Sequence, residues 1–584
     1  MLYAEDADLL QAHDAFGAYC QGNPADLRRR LTDLFATVDT PVAERDEYLA
    51  EDLAEWPYIN GGLFSDRDII VPQMTQEIVT AIEDASQGFN WRDISGVIFG
   101  GVFEGTLNPE TRRAGGMHYT SVQNIDRALD PLFLDGLRRE LAEAEGERVA
   151  AKRRLKLDRL HNRLASITFA DPACGSGNFI TEAYRQLRTI ENRIIEDEIG
   201  EQAEAVDQTA LFGAMENPIR VTTDHFYGIE INDFAVAVAK TALWITEEQM
   251  LRRTQEIMPD YDFDFLPLRS LTNIREGNAL GTDWGSVFPR DLTYLAGNPP
   301  FRGARWQTPA QKAELMEALG NTKNAGNVDY CGGWYAKAAE FSRDKHTRCA
   351  LVSTNSICQG ESVANLWKPI HDKGIHIDFA HTTFRWGNET QTGEQAHVFC
   401  VIVGFSREPS VRELFVHDTP DSEERKTYPT NINAYLADAP DVFVYGRKTP
   451  ICEVPEMGIG SQPIDDGNYL FTDEEKANFI RKEPKAERFF HPWLGSKEFI
   501  NGYNRWVLWL GEASWKDLKD LPLCRERIER VKQYRLTSKR KQTIKAAESP
   551  THFGTEIIAH STSVVVPEVS SERRNYIPMG FIGP

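Results

Sequence analysis

The spacing of apolar residues changes along the 584-residue chain, and each change predicts a different kind of structure. Residues 1–85 carry apolar side chains three and four positions apart, which is the repeat of amphipathic helices. Residues 90–105 and 136–165 continue this helical pattern. Between about residues 167 and 410, short apolar runs alternate with helical stretches, and after that the pattern is irregular. The chain therefore begins with a helical region and continues into a region of alternating strands and helices.

Six apolar runs in the central region predict buried strands, because each run is short and is bounded by turn residues. These runs are 167–170, 225–231, 292–297, 349–354, 375–381 and 398–405. Strands that alternate with helices form a mainly parallel sheet, so the predicted fold class is α/β. We expect a helical domain at residues 1–85, a central domain at 86–410 and a mixed α+β domain at 411–584.

Charge adds one local feature to this picture. The net charge is −23, yet residues 525–545 hold 9 basic and 2 acidic residues. A basic stripe can bind phosphates on a protein that is acidic overall. A solvated helix face would carry the same charges, so both interpretations stay open. The candidates for binding nucleic-acid phosphates are Arg535, Lys539, Arg540 and Lys541.

The sequence predicts neither a membrane span nor a secretion signal. Its longest apolar run, residues 397–405, is much shorter than the ~18 residues of a membrane span. The first residues are acidic, unlike a signal peptide. The eight cysteines are scattered and form no Cys-x-x-Cys pair. These features predict a cytoplasmic protein with free thiols, no membrane association and no metal site.

Polar residues at the ends of the first three strands predict a ligand pocket. DPACGSGNF, residues 171–179, is a Gly-rich turn that can bring backbone N–H groups to a ligand, although a structural turn would share this composition. Asp171 and the lack of a full GxGxxG pattern favour a ligand with an ammonium group, S-adenosylmethionine, over NAD. Glu230 can accept hydrogen bonds from ribose hydroxyls. A third strand, additional to the six apolar runs, should end in IREGNAL, residues 274–280, at Asn278. Asn278 would lie near an adenine ring or serve only as a turn residue.

The fourth strand ends in NPPF, residues 298–301, which suits methyl transfer to an exocyclic amine. The Asn298 side-chain oxygen and the Pro299 carbonyl can accept the two amine hydrogens, and Pro300 makes the loop rigid. Phe301 can stack on an extruded base. This arrangement acts by positioning and fixed dipoles, without a metal or a strong base.

Three motifs resemble those of the amino-methylating DNA methyltransferases: DPACGSGNF, NPPF and GMHYTS at 116–121. Their order is similar to the gamma class, and Asn at the first loop position fits adenine-N6 transfer. LYAEDADL, IFGGVFEG, LDPLFLD and VPEVSSERRNYIPMGF extend the resemblance over nearly the whole chain, to the MmeI-like (Type IIL) restriction–modification polypeptides. The resemblance implies a Rossmann-like class I S-adenosylmethionine-dependent methyltransferase core, between an N-terminal helical spacer and a C-terminal target-recognition domain, acting on adenine N6 in double-stranded DNA.

The resemblance also assigns roles to individual positions. The implied cofactor contacts are Tyr119, Thr120, Asp171, Ala173, Gly175, Gly177, Glu230 and Asn278. The implied catalytic loop comprises Asn298, Pro299, Pro300 and Phe301. Asn278 departs from the family pattern, which often has Asp at this position.

Two other functions stay open. NPP(Y/F) also serves amide nitrogens, which allows a protein-glutamine N-methyltransferase, and a truncated product could bind cofactor or DNA without turnover. A cytosine-C5 mechanism would need a nucleophilic thiolate, but Cys174 and Cys358 are interpreted as small core residues.

The resemblance implies a nuclease domain before the spacer, and no clear nuclease motif is found. Asp465 with the sequence EEK at 474–476 is the one look-alike, and there Thr472 and Glu475 fit a helix capping box better. The expectation is a fragment that lacks the nuclease, which would be a missing domain or a separate subunit, and the end of the target-recognition domain.

Overall fold

The structure is a computed structural model of the chain. It describes all residues except 11–13, 60–61, 66–69, 107–119, 206–216, 323, 387–397, 409, 448, 456, 558–560, 569–573, 575 and 584. The described residues divide into two compact units, Met1–Gly446 and Arg447–Pro584. Within these described ranges, every helix is too short or too polar to cross a membrane.

The first unit is built on a nine-stranded sheet. Its strands are β1 (Phe169–Asp171), β2 (Phe226–Glu230), β3 (Ile274–Glu276), β4 (Tyr294–Gly297), β5 (Arg348–Thr354), β6 (His376–Trp386), β7 (Val398–Ser406), β8 (Glu413–His417) and β9 (Glu424–Thr427). Their order across the sheet is β3-β2-β1-β4-β5-β7-β6-β8-β9. Strands β3, β2, β1, β4 and β5 are parallel, and β7 runs antiparallel to both β5 and β6.

The sequence prediction of an α/β fold on a mainly parallel sheet is confirmed, and all six predicted strands are present. Strand β3 ends at Glu276, close to where a third strand was expected. Strands β8 and β9 extend the same sheet beyond residue 410, with β8 parallel to β6 and β9 antiparallel to β8. The domain limits proposed from the sequence stay a prediction.

Both faces of the sheet are covered by helices, which explains why the strands are apolar throughout. Along β7, Ile402 packs into one hydrophobic cluster, while Val401 and Val403 pack into the other. Successive side chains of a strand point to opposite faces, so a strand buried on both faces needs a continuous apolar run. The helices and helical turns of this part are Val122–Leu129, Asp135–Glu145, Ala150–Ala165, Asn178–Ala205, Asp233–Ile257, Pro309–Ala318, Gly332–Phe341, Gly360–Ser362 and Lys368–His371.

The N-terminal residues are helical, as predicted. The helices are Leu2–Asp6, Ala15–Cys20, Pro24–Val38, Glu51–Ala54, Gln76–Gly88 and Gly96–Thr106. Two of them begin at side-chain caps, where Asn23 accepts a hydrogen bond from Ala25 N and Thr75 accepts one from Ile78 N. Leu27, Leu31 and Leu34 form one apolar stripe, which packs into a cluster of this helical region.

The second unit has its own hydrophobic cluster around Tyr469, Phe471 and Leu508. Its strands are β10 (Leu470–Phe471), β11 (Phe490–Trp493), β12 (Arg505–Leu508), β13 (Ser563–Val565) and β14 (Gly580–Ile582). Its helices are Asp473–Lys482, Ser496–Asn501, Trp515–Lys519, Pro522–Leu536 and Lys541–Ala546.

The capping box predicted at residue 472 is confirmed. Thr472 accepts a hydrogen bond from Glu475 N, and the Glu475 carboxylate accepts one from Thr472 N. Both side chains thus satisfy backbone groups at the start of the helix. Asp465 is buried and accepts a hydrogen bond from Tyr469 N. These contacts assign the two carboxylates to local structure.

Candidate functional site

A pocket opens at the carboxyl edge of the sheet, where β1 lies between β2 and β4. The chain reverses its direction of travel across the sheet at this point, and such switch points are where open α/β sheets bind ligands. The pocket is lined by Thr120, Asp171, Pro172, Ala173, Cys174, Gly175, Ser176, Asn178, Phe179, Ile229, Glu230, Ile231, Gly277, Asn278, Ala279, Asn298, Pro300, Gln311, Tyr330 and Trp334.

The turn after β1 is a tight backbone loop that leads into the helix Asn178–Ala205. Gly175 and Gly177 have φ of 53° and 85°, in the left-handed region that favours glycine. A Cβ on Gly177 would lie 2.9 Å from the Cβ of Ala239, so the turn packs directly against the helix Asp233–Ile257. Cys174 N donates to the carbonyl of Ile229 at 3.1 Å, which fixes the turn to β2.

Asp171 places a carboxylate at the floor of this pocket. The side chain is 1% exposed, and its Oδ1 accepts a hydrogen bond from Ala173 N at 2.9 Å. Burial raises the pKa of Asp171 to about 8, and the Glu230 carboxylate adds to the shift. Without a ligand, Asp171 is therefore mostly protonated near neutral pH, and a cationic ligand group would stabilise its ionised form.

A glycine in the neighbouring strand makes room for Asp171. A Cβ on Gly297, the last residue of β4, would lie 2.2 Å from Asp171 Oδ1. No side chain can be accommodated at that distance from a fixed carboxylate. The glycine before Asn298 is therefore required by the carboxylate at the end of β1.

Glu230 ends β2 and is held by backbone N–H groups. Its Oε2 accepts from Gly175 N at 2.9 Å and its Oε1 accepts from Asn232 N at 3.0 Å. Burial raises the pKa of Glu230. Each carboxylate oxygen can accept more than one hydrogen bond, so both retain capacity for a ligand's hydroxyl groups.

Asn298 is oriented by Thr120 at the edge of the pocket. Its Nδ2 donates to Thr120 Oγ1 at 3.2 Å. The other amide atom, Oδ1, is buried and has no hydrogen-bond partner among the described residues. Leaving a buried acceptor without a donor costs about 1–3 kcal/mol, which marks the atom as a candidate ligand contact.

The rest of the NPPF loop is braced by the chain that follows it. Pro299 is buried, and Phe301 packs against both hydrophobic clusters of the first unit. Arg302 N donates to Asp329 Oδ1 at 2.9 Å, and Asp329 Oδ2 accepts from Thr354 Oγ1 at 3.1 Å. These contacts fix the backbone on the carboxyl side of the loop.

Asn278 lies in the pocket but its amide is already engaged. Oδ1 accepts from Leu280 N at 3.0 Å, and Nδ2 donates to Glu314 Oε1 at 2.9 Å. Glu314 Oε2 also accepts a hydrogen bond from the Tyr330 hydroxyl at 2.5 Å. The proposed contact of Asn278 with a ligand stays a prediction, and the turn interpretation describes its present contacts.

Three lining residues lie outside every motif found in the sequence: Gln311, Tyr330 and Trp334. Trp334 Nε1 donates to the carbonyl of Pro172 at 3.0 Å, which joins the Gly-rich turn to the helix Gly332–Phe341. The signal in the sequence is the aromatic cluster in VDYCGGWY, residues 328–335, which includes the start of that helix. Nothing local in this cluster indicates contact with residue 172.

Three family models match the chain. Residues 147–416 match the MmeI DNA-methyltransferase domain, residues 438–584 the MmeI target recognition domain, and residues 1–64 the MmeI helicase spacer domain. The chain is also similar to the Type IIL restriction-modification enzyme MmeI, solved in complex with DNA, with a TM-score of 0.86 and 37% identity. That alignment covers 100% of this chain and 76% of the MmeI chain.

The chain belongs to the MmeI family. It is 36% identical over 589 residues to DNA methyltransferase A of Bacillus subtilis (strain 168), covering 100% of this chain and 64% of the relative. It is also 21% identical over 312 residues to a putative type II restriction enzyme and methyltransferase of Methanocaldococcus jannaschii, covering 45% of this chain and 24% of that protein. The chain thus spans 64% of the length of the Bacillus relative.

In this MmeI-family chain, the predicted basic stripe at residues 525–545 lies within the range that matches the target recognition domain. Here the prediction for Arg535 is wrong. Its side chain is fully buried, and its guanidinium donates to the carbonyl oxygens of Pro463, Ile464, Ala546, Ser549 and His552. A guanidinium with its donors so engaged is not available to a phosphate. Arg535 is a structural residue.

Lys539, Arg540 and Lys541 differ from Arg535 in being exposed. Their predicted contact with DNA stays a prediction. Of the predicted cofactor contacts, Tyr119 lies outside the described residues, while Thr120 is buried and lines the pocket.

Two cysteines of this MmeI-family chain, Cys174 and Cys358, lie in its hydrophobic core. Cys174 and Cys358 are free and buried, and burial raises the pKa of Cys174 well above its usual value. Such a thiol stays protonated and is a poor nucleophile. This agrees with their interpretation as small core residues.

Proposed function

We propose that this MmeI-family chain transfers a methyl group from S-adenosylmethionine to the N6 amino group of adenine in double-stranded DNA, as part of a restriction–modification system. The observation that carries the proposal is the buried, unpaired Oδ1 of Asn298 at the edge of the pocket. The match of residues 147–416 to the MmeI DNA-methyltransferase domain supports the reaction class.

The unpaired oxygen is suited to bind one hydrogen of an exocyclic amine. Thr120 accepts from Asn298 Nδ2, so the amide presents its oxygen and not its nitrogen to the substrate. The Pro299 carbonyl is the second acceptor in this proposal. Two acceptors draw the amine hydrogens to one side and direct the nitrogen lone pair toward the methyl donor, an effect of preorganised dipoles.

The residues at the carboxyl ends of β1 and β2 fit the proposed cofactor. Asp171 Oδ2 has no hydrogen-bond partner among the described residues, so the ionised side chain would pair with an ammonium group through this oxygen, and Glu230 has capacity for two ribose hydroxyls. S-adenosylmethionine supplies an electrophilic methyl group when bound. The protein then has to hold the amine in line with that methyl, and the braced NPPF loop provides the rigidity.

Double-stranded DNA is the substrate that the comparisons favour over a protein glutamine. Residues 438–584 match the MmeI target recognition domain, and the 37% identical relative was solved in complex with DNA. A role in restriction follows from the same relatives, and we propose that a nuclease acts with this chain as a domain or a subunit.

The test is methylation of genomic DNA with labelled S-adenosylmethionine, followed by nucleoside analysis. We expect N6-methyladenine, and we expect Asn298→Ala to lower the single-turnover rate by about 10²–10³-fold with cofactor affinity unchanged. Asn273→Ala is the matched control, because Asn273 precedes β3 and the one acceptor of its Nδ2 among the described residues is the carbonyl of Asp224.

Three outcomes would contradict the proposal. Label in N4-methylcytosine would exclude adenine specificity, and label in added protein substrates but not in DNA would favour glutamine methylation. Equal rates for Asn298→Ala and the parent chain would remove the role assigned to the unpaired oxygen.

A further inference from the structure

A second polar cluster lies in the first unit, away from the strand-end pocket. His381 lies in β6, His417 ends β8, and Glu424 begins β9, where it pairs with His417 across the antiparallel ladder. Strands β5 and β7 separate β6 from β4 in the sheet. The side chains of both histidines are only 1% exposed. None of these three residues contributes to the proposed transfer reaction.

Backbone carbonyls fix the tautomer of both imidazole rings. His381 Nε2 lies 3.1 Å from the carbonyl oxygen of Arg127, and His417 Nδ1 lies 3.0 Å from that of Ser422. A carbonyl oxygen can only accept, so the proton of each neutral ring lies on the nitrogen that faces it. The opposite nitrogens, His381 Nδ1 and His417 Nε2, therefore carry lone pairs.

These two lone pairs are buried and unmatched. Neither nitrogen has a hydrogen-bond partner among the described residues. Both face Glu424, whose Oε2 lies 4.0 Å from His381 Nδ1 and 3.7 Å from His417 Nε2. Three acceptor groups thus converge, and such a group of atoms requires a positive charge at its centre.

A proton shared between Glu424 and either histidine does not match this geometry. Both nitrogen–oxygen distances exceed the ~3.2 Å limit of an N–H···O hydrogen bond. A metal ion suits them better, because the candidate ligand atoms all lie within 4.8 Å of one another. Zinc binds imidazole nitrogen at about 2.0–2.1 Å in a tetrahedron, which places ligand atoms roughly 3.4 Å apart. Small shifts of these side chains would bring the ligand atoms to that spacing.

We propose that His381, His417 and Glu424 bind a divalent transition-metal ion, with Zn²⁺ as the best match to two imidazoles and one carboxylate. The surroundings are those of a metal site. Each ring donates its second N–H to a backbone carbonyl, which is the usual arrangement behind a ligating histidine. Phe415 stacks on His381, with ring centroids 4.2 Å apart, and limits its rotation.

Arg127 is the one cation in direct contact with this cluster among the described side chains. Its Nε donates to Glu424 Oε2 at 3.2 Å, and a second lone pair of this oxygen remains for the metal. Ligating carboxylates are commonly hydrogen-bonded in this way. Arg127 also belongs to the helix Val122–Leu129, which begins two residues after Thr120. The ion would therefore join this helix to β6, β8 and β9 as a structural clamp.

The test uses the full chain without a histidine tag, after dialysis against a chelator. We expect calorimetry to detect one equivalent of bound Zn²⁺, and we expect Zn²⁺ to raise the melting temperature. His417→Gln and Glu424→Gln should each weaken binding at least tenfold. His346→Gln is the control, since His346 forms an exposed pair with Glu408, with 2.6 Å between Nδ1 and Oε1.

Cobalt provides a measurement that does not depend on the variants. Co²⁺ bound by the parent chain should show the visible absorption of a tetrahedral site with nitrogen ligands, and Zn²⁺ should displace it. Failure of the parent to bind Zn²⁺, a Co²⁺ spectrum equal to that of the aqueous ion, or full binding by folded His417→Gln and Glu424→Gln would each overturn the proposal.

Discussion

Two regions of the molecule each bury an ionisable side chain completely, and the two side chains differ in how many of their hydrogen-bond partners the chain supplies. Arg535 in the second unit donates to five backbone carbonyl oxygens. Asp171 in the first unit is equally buried, but its Oδ1 accepts from Ala173 N and burial raises its pKa to about 8. A buried ionisable group with all its hydrogen-bond partners in the chain stabilises the fold. A buried ionisable group with an unused acceptor is suited to a ligand.

The largest change in stability is expected at Arg535, because the chain supplies acceptors for all of its hydrogen bonds. Arg535→Leu should lower the free energy of unfolding by about 3–5 kcal/mol, because the substitution leaves buried carbonyls without donors. Urea denaturation measures this change. Arg530→Leu is the control, because Arg530 is exposed on the same helix and pairs only with Glu526, so we expect about 0.5 kcal/mol or less. Equal effects of the two substitutions would contradict the structural role of Arg535.

A smaller effect is expected at the pocket, and it should appear in binding. Glu230→Ala should weaken S-adenosylmethionine binding by about 1.5–3 kcal/mol, the usual contribution of hydrogen bonds to a charged group. Calorimetry tests this expectation. Glu276→Ala is the matched control, because Glu276 pairs with Glu230 in the neighbouring strand and its side chain is exposed. Unchanged affinity in Glu230→Ala would remove Glu230 from the proposed site.

Ionisation of the buried Asp171 side chain should lower the stability of the fold, whereas Arg535 raises it. Its raised pKa means that the folded chain keeps a proton which the unfolded chain releases above about pH 4. Stability should therefore fall as the pH rises from about 4 to about 8. Asp171→Asn cannot ionise, so we expect it to be more stable than the parent at pH 8 by roughly a few kcal/mol, with a smaller difference at pH 5.

Urea titrations of both proteins at the two pH values, without cofactor, measure the difference. Asp418→Asn is the control, since Asp418 is exposed. A difference between Asp171→Asn and the parent that does not change between pH 5 and pH 8 would show that burial does not perturb the carboxylate.

The smallest effect is expected on the exposed part of the basic stripe. Replacing Lys539, Arg540 and Lys541 with Gln should reduce the slope of log K against log salt by about 0.9 for each lost phosphate contact. DNA titrations at several salt concentrations measure this slope. A variant with the same loss of charge elsewhere in the unit serves as control: Lys482, Lys485 and Lys497 to Gln. If both variants change the slope equally, the stripe has no particular role.

The fold was largely predictable because its central strands are buried on both faces. Each such strand is a continuous apolar run, and the six runs found in the sequence correspond to six strands. Strand β9 is different, since three of its four residues are exposed and its sequence is ERKT. A short polar strand at the edge of a sheet carries no apolar signal.

The sequence predicts a site residue only where that residue belongs to a short motif of residues adjacent in the chain. Asp171 and Asn298 each follow a strand and sit in a distinctive motif. Trp334 reaches the pocket by packing against Pro172, 162 positions away in the chain. The misassignment of Arg535 has a similar origin, because charge can be counted from a sequence, whereas the carbonyls that surround a guanidinium depend on the tertiary fold.

The contact between Gly297 and Asp171 has a consequence for protein engineering. Because a Cβ at position 297 would lie 2.2 Å from the Asp171 carboxylate, the Gly-rich turn and the NPPF loop form one interdependent module. A catalytic loop transplanted from another methyltransferase would have to bring a glycine before its first residue. Libraries that vary this region should keep positions 171 and 297 together, since independent changes would be selected against at the level of folding.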